Sequence, residues 1–457
     1  SDPTQPPHLQ AWVEVAVSVP GRLHPMKTVK GGAAAEQTSS SRGATLSRLA
    51  LFDHLPRKST LRSSDLVEYD RILHPATIKL GGLYSKGHVL NDDDRVTSLL
   101  AAFVTVIQDY KTPPNKILRE DLDRYLSKQV QFLVECRQLS RGMGNLIKFV
   151  RFSISKITPE TSEAEAKEEL MRRLQAFLEE RLLYAAEHIS TYVASAIRDN
   201  DVILTFGSSP LIRQVLLSVA QVREFRLVVI DSRPLNEGLA TLTALSHKVH
   251  CVYSPLSGAA AAMKDQQVTH VLLGASSLQC NGTMLAPAGT AMVAALAKAW
   301  QIPVIVAAES YKFSEKVQLD SIVYNEMGKA AEISVMQLES EEVGAKYVPV
   351  PQRQPGYRGA ADSTDETGEE LDPIALPSQW GNVSSPSQQL PFSVVNLRYD
   401  VTPMVNISVV ATETGLIPPT SLPVLMREIQ SDMLLSSAAN PASVATAGQH
   451  GLDPLSL

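Results

Sequence analysis

Small polar residues and one arginine follow several short apolar segments in the middle of the chain. Backbone amides and hydroxyl groups at the start of a helix bind phosphate well, and an arginine side chain pairs with it. These residues are therefore candidates for a pocket that binds a phosphorylated small molecule. The alternative is that they only form tight turns between strands and helices. The candidates are Gly207, Ser208, Ser209, Arg233, Gly282 and Thr283.

The sequence gives little support for a site that binds a dinucleotide, a nucleoside triphosphate or a metal ion. A dinucleotide site needs three glycines in its first loop; here Gly207 stands alone, although Asp231 lies where a ribose-binding carboxylate is expected. The sequence has no P-loop motif. Its three cysteines, Cys136, Cys251 and Cys280, are far apart and form no metal-ligand pattern. We therefore expect no cofactor and no metal.

The apolar segments predict the sheet that positions the candidate residues. Five runs rich in Val, Ile and Leu alternate with stretches of helical length, which is typical of βαβ units on a parallel sheet. Ligands bind such sheets at the carboxyl ends of the strands. We predict a Rossmann-like, mostly parallel, doubly wound α/β domain over residues 199–432, with later strands of the same sheet at 394–397, 400–403 and 405–410. The five runs are residues 202–206, 227–230, 249–253, 270–273 and 304–307.

A helical domain is predicted before the sheet, over residues 65–198. Residues 74–82 read as an ordered loop, and Asn91 with the three aspartates after it predicts a helix start. Gly142 and Gly144 are expected to break the helical pattern. One long helix, from about residue 158 to 198 and roughly 60 Å long at ~1.5 Å per residue, is expected to connect this domain to the sheet.

The remaining segments predict flexible chain. Residues 1–64 and 433–457 lack sustained periodicity and are expected to be flexible tails. Residues 350–391, rich in Pro, Gly, Ser and acidic side chains, predict a disordered insertion. A net charge of −6 over 457 residues does not indicate a nucleic-acid-binding protein, and no apolar run is long enough for a membrane span. An intracellular protein without a direct nucleic-acid or membrane partner is expected.

One part of the helical domain opposes the charge of the whole chain. Residues 115–157 contain nine basic and four acidic residues, an excess of 9 − 4 = +5. This excess is consistent with an ordinary solvated helical face, but it also suits a docking surface for an acidic or phosphorylated partner. The candidate docking residues are Arg119, Arg124, Arg137 and Arg141.

A series of short motifs resembles a known family. The motifs are ILTFGSS at 203–209, DSRPLNEG at 231–238, VLLGAS at 271–276, SRGMGN at 140–145 and YDVTP at 399–403. Together they are similar to the alpha, beta and delta subunits of eukaryotic translation initiation factor 2B, and most similar to the delta branch. The same fold family includes ribose-1,5-bisphosphate and methylthioribose-1-phosphate isomerases. The resemblance covers roughly residues 65–430, apart from the acidic insertion.

The resemblance also implies which chemistry is missing. The isomerases use a cysteine after the first strand and an aspartate after the fourth. Matching the motifs places Gly207 and Ser276 at these positions, and neither residue can transfer the protons that isomerisation requires. Cys280 lies four residues beyond Ser276 and is expected to be a buried structural thiol. The resemblance therefore implies no catalytic residues and no enzyme activity of this chain.

The function that the resemblance implies is regulatory. It suggests a subunit of a cytoplasmic complex that exchanges GDP for GTP on translation initiation factor 2 and senses phosphorylation of that factor's alpha subunit. The implied partners are the beta subunit, as a heterodimer, the other subunits of the complex, and initiation factor 2 with its phosphorylated alpha subunit. Two alternatives remain open. One is an active sugar-phosphate isomerase, and the other is a sensor that binds a nucleotide or sugar phosphate in the residual pocket.

Overall fold

The computed structural model describes residues 50–328 and 395–435, except residues 53, 57–71, 90 and 159. Within them, helices precede a sheet flanked by helices, as predicted. The predicted insertion at 350–391 and most of both predicted tails lie outside the described residues. One part of the predicted N-terminal tail is ordered, because Ala50–Phe52 forms a 3-10 turn and Leu55 is buried.

The first helix begins earlier in the chain than predicted. The expected loop at residues 74–82 is wrong, because Pro75 starts a helix at a first-turn position that suits proline. The imidazole of His74 caps this helix by accepting a hydrogen bond from the Ala76 amide. The helices are α1 (Pro75–Lys86), α2 (Asp92–Asp109), α3 (Leu118–Cys136), α4 (Arg141–Ser155), α5 (Glu163–Leu178) and α6 (Ala185–Ala196).

The predicted connecting helix is real but shorter. Helices α5 and α6 are joined by a π-helical turn, Glu179–Tyr184, into one rod. The rod starts at Glu163, because Ser162 and Glu165 form a capping box in which each side chain accepts the other's backbone amide. From Glu163 to Ala196 it is roughly 50 Å long at ~1.5 Å per residue.

The predicted break between two helices is real, but it lies at residues 137–140 and not at Gly142 and Gly144. Both residues lie within the first turn of α4, which Ser140 caps by accepting the Met143 amide. The absence of a side chain at Gly142 allows Tyr311 and Val96 to pack closely against α4. A Cβ at this position would lie 2.9 Å from the ring of Tyr311 and 2.9 Å from a methyl group of Val96.

The predicted parallel sheet is confirmed, and the five predicted strands match β1, β2, β3, β4 and β7. The seven-stranded main sheet has the order β11-β10-β7-β4-β1-β2-β3 and is parallel except for β11. Its strands are β1 (Val202–Phe206), β2 (Arg226–Asp231), β3 (His250–Pro255), β4 (His270–Gly274), β7 (Val304–Ala307), β10 (Val409–Thr412) and β11 (Gly415–Ile417).

Helices cover both faces of the main sheet. Alternate residues of each central strand enter two separate cores, so that Ile203 and Leu227 pack on one face while Val202 and Val228 pack on the other. This two-sided burial explains why the strands read as continuous apolar runs. The helices of this part are α7 (Pro210–Val222), α8 (Gly238–Leu245), α9 (Ala259–Asp265), α10 (Thr290–Ala299) and α11 (Leu422–Leu435).

The late strands do not all join the main sheet, contrary to prediction. Tyr399–Thr402 forms β9, which pairs with β6 (Met284–Pro287) in a second sheet of order β8-β5-β6-β9. The other strands of that sheet are β5 (Ser277–Gln279) and β8 (Phe313–Ser314). Residues 405–408 are also not a strand, because Pro403 ends β9 and a 3-10 turn, Met404–Asn406, follows.

The packing of α4 can be tested with two glycines of the same helix. Gly142→Ala should lower the free energy of unfolding by about 1–3 kcal/mol, because the new methyl group overlaps the packed ring of Tyr311. Gly144→Ala is the matched control. Nothing lies within 4 Å of its Cβ position, so alanine should leave stability unchanged or raise it by up to about 1 kcal/mol. Denaturant unfolding measures both, and equal effects would contradict this packing.

Candidate functional site

A cleft lies where the carboxyl ends of β1 and β4 face the N-terminus of α2. Ser208 and Ser209, which follow β1, line it as the sequence predicted, together with Ser276 after β4. From α2 come Asp92 and Asp93. The cleft therefore lies at the edge of the sheet where ligands bind in this class of fold.

The other predicted pocket residues do not join this cleft. Arg233 is exposed and outside its lining. The Gly207 amide donates to the Ile230 carbonyl over 2.8 Å, so it is already used within the fold. Gly282 and Thr283 form the turn between β5 and β6, where the Thr283 hydroxyl donates to Gln279 Oε1 over 2.9 Å. Of the six candidates, the structure brings only Ser208 and Ser209 into the cleft.

A buried lysine dominates the electrostatics of the cleft. Lys312 Nζ lies 2.5 Å from Asp93 Oδ1 and 2.8 Å from Glu309 Oε2, and its side chain is 2% exposed. Tyr311 donates its hydroxyl to the same Asp93 oxygen over 2.7 Å. We call Asp93, Glu309, Tyr311 and Lys312 the ion cluster. The sequence predicted none of these four as site residues, because the contact between Asp93 and Lys312 spans more than 200 residues and leaves no local signal.

Burial acts differently on the two charges of Lys312 and Glu309. Burial alone would lower the pKa of Lys312, but the carboxylates of Asp93 and Glu309 outweigh it and raise that pKa. For Glu309, desolvation outweighs the attraction of Lys312 and raises the pKa to about 7. Lys312 therefore stays protonated, and Glu309 keeps its proton to a higher pH than an exposed glutamate does.

A second buried ion pair closes the other side of the cleft. Arg137 Nε and Nη2 donate to the two oxygens of Glu326 over 2.6 and 3.1 Å, and Nη1 donates to the Val89 carbonyl over 2.8 Å. The prediction that Arg137 belongs to a docking surface is therefore wrong. Its guanidinium is buried and fully engaged within the chain, which a sequence-local count of charges cannot reveal.

The arrangement does not suit phosphate. Lys312 and Arg137, two cations that line the cleft, are already neutralised by carboxylates. The nearby N-terminus of α10 is also occupied, because the Gly289 and Ala291 amides donate to Asp400 Oδ2 over 2.7 and 2.9 Å. A phosphate would have to displace these carboxylates or lie beside them, and the repulsion between like charges would make binding unfavourable. The cleft is thus a contact region between the helical part and the sheet part, stabilised by ion pairs within the chain.

The remaining arginines differ in accessibility. Arg119 and Arg124 are exposed on α3. Arg141, at the start of α4, is half-buried, with its guanidinium 5.2 Å from the centre of the Tyr324 ring. These three side chains remain available as candidates for a docking surface.

Cys280 is not part of the cleft. The Cys280 thiol is half-buried and donates to the Glu315 carbonyl over 3.2 Å, outside the cleft. Among the described residues, no cluster of His, Cys, Asp and Glu has a metal-binding arrangement. Within the same part of the chain, no helix is both long and apolar enough to cross a membrane.

Comparison with known proteins agrees with this fold. Residues 91–419 match the model of the family described as Initiation factor 2 subunit family, and the chain belongs to that family. Within it, the chain is similar to delta subunits of translation initiation factor eIF2B. Identity to the delta subunit of Dictyostelium discoideum is 33% over 400 residues, which cover 86% of this chain and 58% of that protein. For the delta subunit of Schizosaccharomyces pombe it is 32% over 385 residues, covering 84% of this chain and 74% of that protein.

Two further matches extend the comparison. The crystal structure of the tetrameric eIF2B-beta2-delta2 complex from C. thermophilum is similar with a TM-score of 0.62 and 25% identity, covering 80% of this chain and 97% of that chain. The ribose 1,5-bisphosphate isomerase of Methanocaldococcus jannaschii is 22% identical over 319 residues, 70% of this chain and 85% of that protein. The predicted relationship to delta subunits and to ribose-1,5-bisphosphate isomerases is confirmed.

The raised pKa of Glu309 predicts a pH dependence of stability. A carboxyl group whose folded-state pKa is raised from 4.5 to about 7 holds a proton in the folded chain that the unfolded chain releases. Its contribution to stability therefore falls as pH rises from about 4.5 to about 7. Between pH 4.5 and 8, wild type should lose on the order of 2 kcal/mol relative to Glu309→Gln.

Chemical denaturation of both proteins at several pH values measures this difference. Glu187→Gln, at an exposed position on α6, is the control and should follow wild type throughout. A constant difference between wild type and Glu309→Gln across this range would contradict the burial of an ionisable Glu309 in the cluster.

Proposed function

We propose that this chain is a non-catalytic regulatory subunit of a cytosolic eIF2B-type complex, which promotes GDP/GTP exchange on translation initiation factor 2. The observation that carries the proposal is the similarity to two eIF2B delta subunits over more than four-fifths of the chain. The cleft supports it, since two of its cations, Lys312 and Arg137, are engaged in internal ion pairs.

The proposal includes association with a beta subunit. The structurally similar protein from C. thermophilum is a complex of beta and delta subunits. In the present chain, apolar side chains are exposed near the late edge of the main sheet, where pairing is expected: Val405 is 67% and Val424 is 56% exposed. Their burial against a partner would be favourable.

Assembly is tested by expressing the chain alone and together with the matching beta subunit. We expect the chain alone to be unstable as a monomer and the pair to form a defined hetero-oligomer by light scattering. Val405→Asp should weaken the pair at least ~10-fold, because a charge would enter an apolar interface. Val222→Asp, at an equally exposed site on α7 (64% exposed), is the control. A soluble monomer that ignores the beta subunit would refute the assembly proposal.

The proposed regulatory role is recognition of the phosphorylated alpha subunit of initiation factor 2. Arg119 and Arg124 project from α3 and are exposed, and Arg141 is presented over Tyr324. A phosphoserine carries roughly −1.5 to −2 charges and favours guanidinium groups. We propose these three residues, without Arg137, as the docking surface.

Charge reversal tests this surface. Arg119→Glu and Arg124→Glu together should weaken binding of phosphorylated initiation factor 2 to the assembled complex by ~1 kcal/mol or more, with a smaller effect at high salt. Binding of the unphosphorylated factor and assembly with the beta subunit should not change. Lys264→Glu combined with Lys298→Glu, at exposed positions on α9 and α10, changes the net charge equally and is the control. If the double variant binds the phosphorylated factor as wild type does, the α3 arginines are only a solvated surface.

The two alternative functions lack a supporting observation in the cleft. An isomerase would need proton-transferring groups where the motifs place Gly207 and Ser276, and a sugar-phosphate sensor would need unengaged cations. We therefore expect no turnover of ribose-1,5-bisphosphate or methylthioribose-1-phosphate in a direct product assay. Turnover that disappears in Cys280→Ala would overturn this expectation and assign a catalytic role to that thiol.

A further inference from the structure

Residues 50–52 and 54–56, here called the strap, contact a loop more than 260 residues later in the chain through His54 and Pro56. His54 Nε2 is 3.0 Å from the Ile322 carbonyl oxygen. The Met327 amide donates to the Pro56 carbonyl over 3.2 Å. Leu55 is 4% exposed, whereas Leu51 in the same strap is 60% exposed. The strap is thus anchored by one buried side chain and by contacts at two points of the loop.

The loop that the strap contacts, residues 317–327, exposes an unusual amount of apolar surface. Its shape is set largely by polar contacts within it: Asp320 Oδ1 accepts the amides of Ile322 and Val323 at 2.8 Å each. Gln318 Nε2 donates to the Asp320 carbonyl over 2.8 Å. The middle of the loop, which exposes apolar side chains and buries few, opens more easily than its buried ends unless other contacts hold it. The most exposed side chains are Val317 (50%), Leu319 (83%), Val323 (65%) and Tyr324 (48%).

The end of this loop is connected to the helical part of the chain. Glu326 binds Arg137, and the Tyr324 ring lies beneath the Arg141 guanidinium. On one side, Met327 pairs with Leu397 in an isolated antiparallel bridge. On the other side, the same residue is held by the strap. A displacement of the strap would therefore change the position of Tyr324, and with it the contact between Tyr324 and Arg141.

We propose that the strap controls the conformation of the loop at residues 317–327. When docked, it fixes residues 317–327 and keeps Tyr324 beneath Arg141; when displaced, it frees the loop. The contacts at Ile322 and Met327 enclose Tyr324 between them, and burial of Leu55 supplies the apolar anchor. This inference concerns the isolated fold and does not depend on the proposed partners.

The test is hydrogen–deuterium exchange of the full chain, read at amides that do not touch the strap. Ile322 and Val323 donate to Asp320, so their exchange reports on the loop itself. Leu55→Asp should speed exchange of these two amides by about tenfold or more. Exchange in the central strands β1 and β2 should stay unchanged. Leu51→Asp, at the exposed position of the strap, is the matched control and should resemble wild type.

A second variant keeps the test decisive if the substitution disturbs folding. Deletion of residues 1–56 removes the strap without placing a charge in the fold and should give the same loop-specific acceleration. Unchanged exchange of Ile322 and Val323 in both variants would overturn the proposal. Equal acceleration in β1, β2 and the loop would also overturn it, since Leu55 would then be an ordinary core residue.

Discussion

The burial of Lys312 between Asp93 and Glu309 is the constraint on which the rest of the structure depends. Removing a charged group from water costs several kcal/mol, and the cost is offset only when partners are placed with good geometry. Those partners come from two parts of the chain, α2 in the helical part and the segment after β7 in the sheet part. The helical part must therefore stand in one fixed position over the sheet for the charge to be tolerated.

The segment around Lys312 collects contacts from several other elements. Asn145 of α4 donates its side-chain amide to the carbonyls of Tyr311 and Phe313, over 2.8 Å in each case. Arg181, in the π-helical turn of the connecting rod, donates to the Ser310 hydroxyl over 3.2 Å, and Glu413 accepts the Ser310 amide. These contacts place the segment after β7 at the junction between the helical part and the sheet part of the chain.

The strands whose identity follows from local composition could be predicted from the sequence. Features that depend on contacts between residues far apart in the chain could not. The five apolar runs identified their strands, because strands buried on both faces need no polar alternation. The glycines of α4 were misread as a break, since the ring of Tyr311 that explains Gly142 lies 169 positions away. Tyr399–Thr402 was assigned to the wrong sheet, because nothing in its composition distinguishes pairing with β6 from pairing with β10. Similarly, a count of charges over 115–157 cannot separate buried Arg137 from exposed Arg124.

The central claim, that Lys312 and Asp93 hold the two parts of the chain together, is tested most directly by a double-mutant cycle. Asp93→Asn, Lys312→Met and the double variant would be compared with wild type by denaturant unfolding at one pH. We expect each single variant to be strongly destabilised and the pair to show a coupling energy above about 1.5 kcal/mol, because either single change removes the opposite charge nearest to the one that remains. Effects that add to within about 0.5 kcal/mol would contradict the claim.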